Sequence, residues 1–254
     1  LLAHATPPRL GVVLGGGGAR GFAHLGVLQE LERLRVPVAC IAGTSAGALI
    51  GGAYASGRAL DEMAGLFRHA DWDVLLSGKP ARQDVPYLRK QGDLVNYFDL
   101  SFGVRDGELR IPRGAINSQA IDLFIRELTR ARDEPSFDRL SIPFRAVATD
   151  LESGDAVVFD RGDLSLAMRA SMAVPGLFDV VEHDGRLLVD GGLARQLPVE
   201  ELLGGCADVL LVIDVGTPPL KAEQLRSFIN VLDQTSYLMV ARNSKEQLAK
   251  MRPQ

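Results

Sequence analysis

Cysteine, histidine and long apolar runs are all scarce in this chain, and each scarcity closes off a class of function. The two cysteines, Cys40 and Cys206, sit among apolar or small residues. They read as core thiols rather than as a disulfide, and two such ligands do not make a zinc site. No apolar stretch approaches the roughly 18 residues that cross a bilayer as a helix. Charge is nearly balanced: a net −4 gives no electrostatic reason to expect a nucleic-acid partner. Residues 1–8 lack a basic n-region, so no signal peptide is visible there. The four histidines are His4, His24, His69 and His183. None follows Asp190, whereas the histidine of an α/β-hydrolase triad follows its acid in the chain. A triad of that order with Asp190 as its acid is therefore excluded.

What remains is an ordinary globular balance, 46% hydrophobic and 24% charged over 254 residues, which suits a single α/β core. Arg9-Leu10-Gly11-Val12-Val13-Leu14 reads as a strand buried on both faces. It runs into a glycine loop, residues 15–21, and then into a helix carrying Phe22, Leu25, Leu28, Leu31 and Leu34 at helical spacing. A second apolar run, Val38-Ala39-Cys40-Ile41-Ala42, delivers the chain to Gly43-Thr44-Ser45-Ala46-Gly47. A small-residue helix follows. Gly-x-Ser-x-Gly between a strand and a helix is a nucleophile elbow, a strained turn that lifts the serine hydroxyl above the sheet edge. Side chains at Gly43 or Gly47 would collide across so tight a bend. The strand–helix alternation predicts parallel pairing with right-handed crossovers.

Further along, residues 60–73 and 117–131 read as helices, and Pro143 to Thr149 as a strand beside Ala156 to Phe159. Leu164 to Ala173 is helical. Val180 to Val189 is a hairpin turning at Asp184-Gly185 and leading to Asp190-Gly191-Gly192. Asp208 to Val215 reads as a buried strand, and residues 220–249 as mostly one long helix. The apolar positions of that helix (Leu225, Phe228, Ile229, Leu232, Leu238, Met239) either cover the body or join a second copy in a homodimer. The pattern is irregular over 74–116, apart from a small hairpin around Asp106-Gly107. That segment is expected to be a lid or a lipid-contact insert. Its Tyr87, Tyr97, Phe98 and Phe102 lie among Lys79, Arg82, Arg89 and Lys90, a mixture suited either to a headgroup layer or to packing the loop onto the body. The expected organisation is a tail over 1–8, a catalytic domain over 9–215 and a carboxy-terminal helix over 216–254.

A serine hydroxyl needs a base and an anion hole. Asp190 ends an apolar strand and is followed by two glycines, so substrate and backbone can approach its carboxylate closely. Partial burial would raise its basicity. The competing base is His183 with an earlier acid such as Asp150 or Asp160, in an esterase of another kind. Gly16-x-Gly18-x-x-Gly21 formally matches a dinucleotide fingerprint, but the second strand ends in the elbow where that fingerprint wants an acid. The same loop suits an oxyanion hole, since amides at a helix start point at developing negative charge. Arg20 is expected in a surface salt bridge, with anchoring of the loop or contact with an anionic headgroup as the alternatives, and His24 in a packing or capping role.

These three stretches together resemble the patatin-like phospholipases. Gly16-Gly17-Gly18-Ala19-Arg20-Gly21 resembles the family's anion-hole loop, Gly43-Thr44-Ser45-Ala46-Gly47 its elbow, and Asp190-Gly191-Gly192 its Asp-Gly-Gly/Ala motif. Ala170-Ser171-Met172-Ala173-Val174-Pro175, Phe178 and Ala148-Thr149-Asp150 are similar to further segments, with Val180 where the family usually has proline. The resemblance implies a three-layer α/β/α fold with a mainly parallel central sheet. It implies a phospholipase-type acyl hydrolase with Ser45 as nucleophile, Asp190 as base, and the amides of Gly16, Gly17 and Gly18 around the oxyanion. It also implies no metal or other cofactor, and a phospholipid or membrane surface as partner. A non-catalytic nucleotide- or lipid-binding module is the rival. The 74–116 insert and the last helix are similar to the passenger domain of secreted two-domain bacterial patatins, which implies secretion or the cell surface, with the cytoplasm as the alternative.

Overall fold

The computed structural model describes residues 8–77, 103–105, 108–110, 114–116, 119–130, 132–216, 218–225 and 228–251. Seven strands form the main sheet: β1 (Leu10–Leu14), β2 (Val38–Thr44), β3 (Phe144–Asp150), β4 (Ala156–Phe159), β5 (Val181–His183), β6 (Arg186–Asp190) and β7 (Val209–Ile213). The order is β5-β6-β3-β2-β1-β7, with β4 also on β3. Strands β3, β2, β1 and the edge strand β7 run parallel, while β4, β5 and β6 pair antiparallel. The sheet is therefore mixed, with a parallel centre.

Period-2 alternation divides the central strands between two cores. Val12, Leu14, Ile41, Phe144, Ala146 and Ala148 face the larger one. There they meet α1 (Ala23–Arg33), α2 (Ala46–Ala55), α3 (Leu60–His69), α4 (Trp72–Ser77), α5 (Gln119–Thr129) and α6 (Leu164–Ser171). Val13, Cys40 and Ala42 face the smaller core, closed by Leu197, Val199 and Leu202. That second layer consists of α7 (Gly192–Arg195), a short 3-10 turn at Val199–Glu201, and α8 (Phe228–Ala249). Both faces of β1 and β2 are thus covered, which is why these strands read as continuous apolar runs.

Two expectations are corrected. Cys40 and Cys206 are not free thiols: they form a disulfide with Cα atoms 6.2 Å apart. The physical reason lies in β1, where Gly11 pairs with Cys40 on one side and with Leu210 on the other. A Cβ on Gly11 would come within 2.7 Å of Ala207 Cβ, so the bare glycine lets the chain before β7 reach across to β2. Second, β7 is the edge strand rather than a buried one, with Val209 half exposed. Helix α8 turns Val240, Asn243, Ser244 and Gln247 inward at helical spacing, and leaves Leu238 and Met239 in solvent. The side chains of Phe228, Ile229 and Leu232 lie outside the described residues.

The small hairpin is present, Gly103–Arg105 pairing antiparallel with Glu108–Arg110. Gly114–Ile116 pairs in parallel with Gly176–Phe178. Tyr87, Tyr97, Phe98 and Phe102 and the basic residues among them lie outside the described residues.

Candidate active site

Strand register brings the elbow and the aspartate together. β4 pairs with residues 146–149 of β3, so it occupies one edge of that strand. β2 pairs with 144–147 and β6 with 148–150, so these two must share the other edge. They approach from opposite ends and meet there. Thr44 stands opposite Val147, and Asp190 opposite the next residue, Ala148. Ser45 and Asp190, 145 positions apart in the chain, thus end at one point because β6 runs antiparallel to β2.

Ser45 follows Thr44 with φ 53° and ψ −121°, a left-handed conformation that a side-chain-bearing residue adopts at a cost of about 1–3 kcal/mol. Close packing holds it. A Cβ on Gly47 would lie 2.0 Å from the Leu14 carbonyl oxygen, and one on Gly43 would lie 2.4 Å from that of Gly47. Ser171 locks the turn from α6: its Oγ donates to the Val147 carbonyl at 2.5 Å and accepts from the Ser45 amide at 2.9 Å. The Ser171 carbonyl accepts from Gly191 N at 3.1 Å, and Ala173 O accepts from Asp190 N at 2.9 Å. One short segment therefore positions both sides of the site. Sequence pattern alone assigns Ser171 no role.

Asp190 Oδ1 accepts from the Gly192 amide at 2.8 Å. Oδ2 is shielded from solvent and has no hydrogen bond of ordinary geometry. Burial pushes the Asp190 carboxyl up to about 6, against the opposing pull of the Ser45 hydroxyl and the Gly192 N–H. The serine is thus near enough to act on the carboxylate, without a tight bond in the free state. Such contacts often close only when substrate binds. Thr149 Oγ1 donates to the Asp190 carbonyl at 2.8 Å and fixes the strand end.

The glycine loop lies on the other side of Ser45. A Cβ on Gly16 would come within 3.2 Å of Ser45 Cβ, so the loop abuts the serine. Gly15 N donates to Ile213 O at 3.0 Å, tying the loop to β7. The amides of Gly16 and Gly17 find no partner among the described residues. Gly18, at φ 54°, opens the 3-10 turn Gly18–Phe22 and carries one of the donors that a helical start leaves unmade. Gly21 packs on the elbow: a Cβ there would meet Ala46 Cβ at 2.3 Å. Arg20 is not in the expected salt bridge among the described residues; its Nη1 donates to the Gly216 carbonyl at 3.2 Å and anchors the loop.

The histidines are elsewhere. His183 pairs with Arg186 beside the hairpin turn, whereas Asp190 lies at the far end of β6. Four residues of strand separate Arg186 from Asp190, about 13 Å. His69 Nδ1 bonds the Gly65 carbonyl on α3, and His24 bonds the Gly15 carbonyl. His4 is outside the described residues. A cavity of about 430 Å³ lined by Gln119, Asp122, Arg126 and Arg169, among others, includes neither Ser45 nor Asp190.

Comparisons with known proteins bear on the family and the fold. A family model described as "Patatin-like phospholipase" matches residues 12–203. An uncharacterized NTE family protein of Mycobacterium bovis is 35% identical over 211 residues, covering 83% of this chain and 50% of that protein. Lysophospholipase NTE1 of Mycosarcoma maydis is 31% identical, covering 82% of this chain and 10% of that protein. The chain thus spans half, or much less, of the curated relatives it matches. In fold it is similar to VipD from Legionella pneumophila, with a TM-score of 0.52 at 19% identity over 91% of this chain and 53% of that one.

Proposed function

Because the chain belongs to the patatin-like phospholipase family, we propose that it hydrolyses an acyl ester of a phospholipid, with Ser45 as nucleophile and Asp190 as base. The observation that carries this reading is a serine on a strained elbow beside a buried carboxylate whose pKa is raised to about 6, with no imidazole in contact with either among the described residues. A base tuned toward the working pH transfers protons efficiently. Asp190 takes the Ser45 hydroxyl proton as Oγ bonds the carbonyl carbon. The tetrahedral oxyanion faces the free amides of the glycine loop. The proton then passes to the leaving alkoxide, which departs as the lysophospholipid alcohol and leaves acyl-Ser45. Water attacks that ester, Asp190 takes its proton and returns it to Ser45, and the fatty acid is released. The Gly16–Gly18 amides favour the transition states over the flat ester.

The test is phospholipid cleavage followed by mass spectrometry of the released fatty acid. Ser45→Ala and Asp190→Asn are expected to lower turnover by at least about 1,000-fold, and His183→Ala to leave it within about threefold. Stoichiometric labelling of Ser45 by a fluorophosphonate separates an enzyme from a binding module. Activity that survives Asp190→Asn and dies with His183→Ala would replace the dyad with the esterase reading. The Cys40–Cys206 bond favours an oxidising compartment, as expected for a secreted or surface protein. Its presence in protein isolated under thiol-blocking conditions is the check.

A further inference from the structure

The oxyanion loop is gripped from behind by two side chains that do not face substrate. His24 Nε2 lies 2.8 Å from the Gly15 carbonyl. A carbonyl only accepts, so Nε2 carries the proton and His24 is a donor. Burial holds the ring's pKa below its ordinary value, which favours the neutral ring, and Nδ1 has no hydrogen-bond partner among the described residues. Gln196 Nε2 donates to the next carbonyl, that of Gly16, at 2.6 Å. Both residues are buried, His24 at 0% and Gln196 at 4% exposure.

A trans peptide is planar, and its N–H points opposite to its C=O. Fixing the Gly15 carbonyl on His24 therefore turns the Gly16 N–H away from His24. Fixing the Gly16 carbonyl on Gln196 likewise turns the Gly17 N–H away from Gln196. Both amides have no partner among the described residues, in the loop that abuts Ser45. A run of glycines has little intrinsic preference for one peptide orientation, so an external grip is needed to hold two consecutive planes. Gln196 is itself fixed: its amide donates to Asn243 Oδ1 at 2.9 Å, and Asn243 Nδ2 donates to the Ala194 carbonyl. Asn243 belongs to α8, so the grip extends to the last helix.

We propose that His24 and Gln196 are positioning residues of the oxyanion hole, each orienting one glycine peptide so that its N–H meets the developing negative charge. This rests on the acyl-hydrolase reading above. A donor aimed at charge that exists only in the transition state acts on turnover and not on substrate binding. Losing either grip is therefore expected to lower kcat by roughly 10- to 100-fold while KM moves less than about threefold, somewhat less than deleting an oxyanion donor outright.

The experiment measures kcat and KM on a soluble p-nitrophenyl acyl ester for Gln196→Met, His24→Leu and His24→Gln, with thermal unfolding of each. Gln196→Met keeps the length without the donor, and His24→Gln keeps a donor without the ring. A kcat loss in Gln196→Met and His24→Leu at near-constant KM, with recovery in His24→Gln, supports the proposal. Wild-type kcat in folded Gln196→Met overturns it, even if His24→Leu does not fold. So does a rise in KM that accounts for all the loss. Ser45→Ala tells the two readings apart: cleavage that persists in it sinks the acyl-serine mechanism. A dead Ser45→Ala beside a fully active Gln196→Met sinks only the positioning role.

Discussion

The two sides of the candidate site are held by different kinds of force. On one side Ser45 and Asp190 sit at strand ends whose meeting is dictated by backbone register along β3, backed by the larger core. On the other side the glycine loop leaves the sheet beside the edge strand β7 and is backed by the smaller core. It is held by His24, Gln196 and Arg20, with the Cys40–Cys206 bond crossing β1 a few residues before the loop. Register is set by many cooperative hydrogen bonds, so the strand-end half tolerates loss of single side chains and not a change in backbone spacing. The loop half should show the reverse.

The largest effect expected from that contrast is at Gly47. Gly47→Ala would place a Cβ 2.0 Å from the Leu14 oxygen, between strand and helix backbones that cannot both move. Denaturant unfolding should show a loss above about 4 kcal/mol, or no folded protein. Gly18→Ala meets nothing within 4 Å and bears only the strain of φ 54°, so about 1 kcal/mol is expected. Equal costs at the two positions would break the comparison.

Next comes the disulfide. Cys40→Ser with Cys206→Ser should cost about 2–5 kcal/mol. Amide exchange should quicken most over residues 11–18 and 206–213, with α2 and α3 changed least. A uniform loss of protection would mean that the two halves unfold as one unit. Ser171→Ala should cost about 1–3 kcal/mol, because it leaves the buried Val147 carbonyl and Ser45 amide unpaired. Its activity should fall with the elbow's order, read as a slower fluorophosphonate reaction at Ser45.

The strand-end half was largely legible in the sequence, and the loop half was not. Gly43, Ser45 and Gly47 report their own backbone strain, because only certain residues survive such a bend. Asp190 announces itself by closing an apolar strand before two glycines. Gln196 and Asn243 carry no such mark. They lie 180 and more residues from the loop they serve, and their value comes from where α7 and α8 cross the smaller core. The disulfide was hidden for a related reason: the space for it is made by Gly11, on a strand belonging to neither cysteine. Long-range contacts across a bare glycine leave no periodicity to read.

The last effect concerns Asp190 and has an unusual sign. Its carboxyl titrates near 6 in the fold, against an ordinary value of 3.8. Between those values the native chain holds a proton that the unfolded chain has lost. Stability must then fall as pH rises through that window and stay lower above it, by about 2–3 kcal/mol at most. Asp190→Asn removes the penalty. It should match wild type near pH 4 and exceed it by about 1–3 kcal/mol at pH 7.5, although it cannot serve as a base. Turnover in wild type should climb about tenfold per pH unit below 6 and level off above, since only the ionised carboxylate accepts the serine proton. An Asp190→Asn protein less stable than wild type at pH 7.5 would show that the carboxylate's bonds to Gly192 and Ser45 outweigh its burial. The strand-end half would then be held by that charge as well as by register.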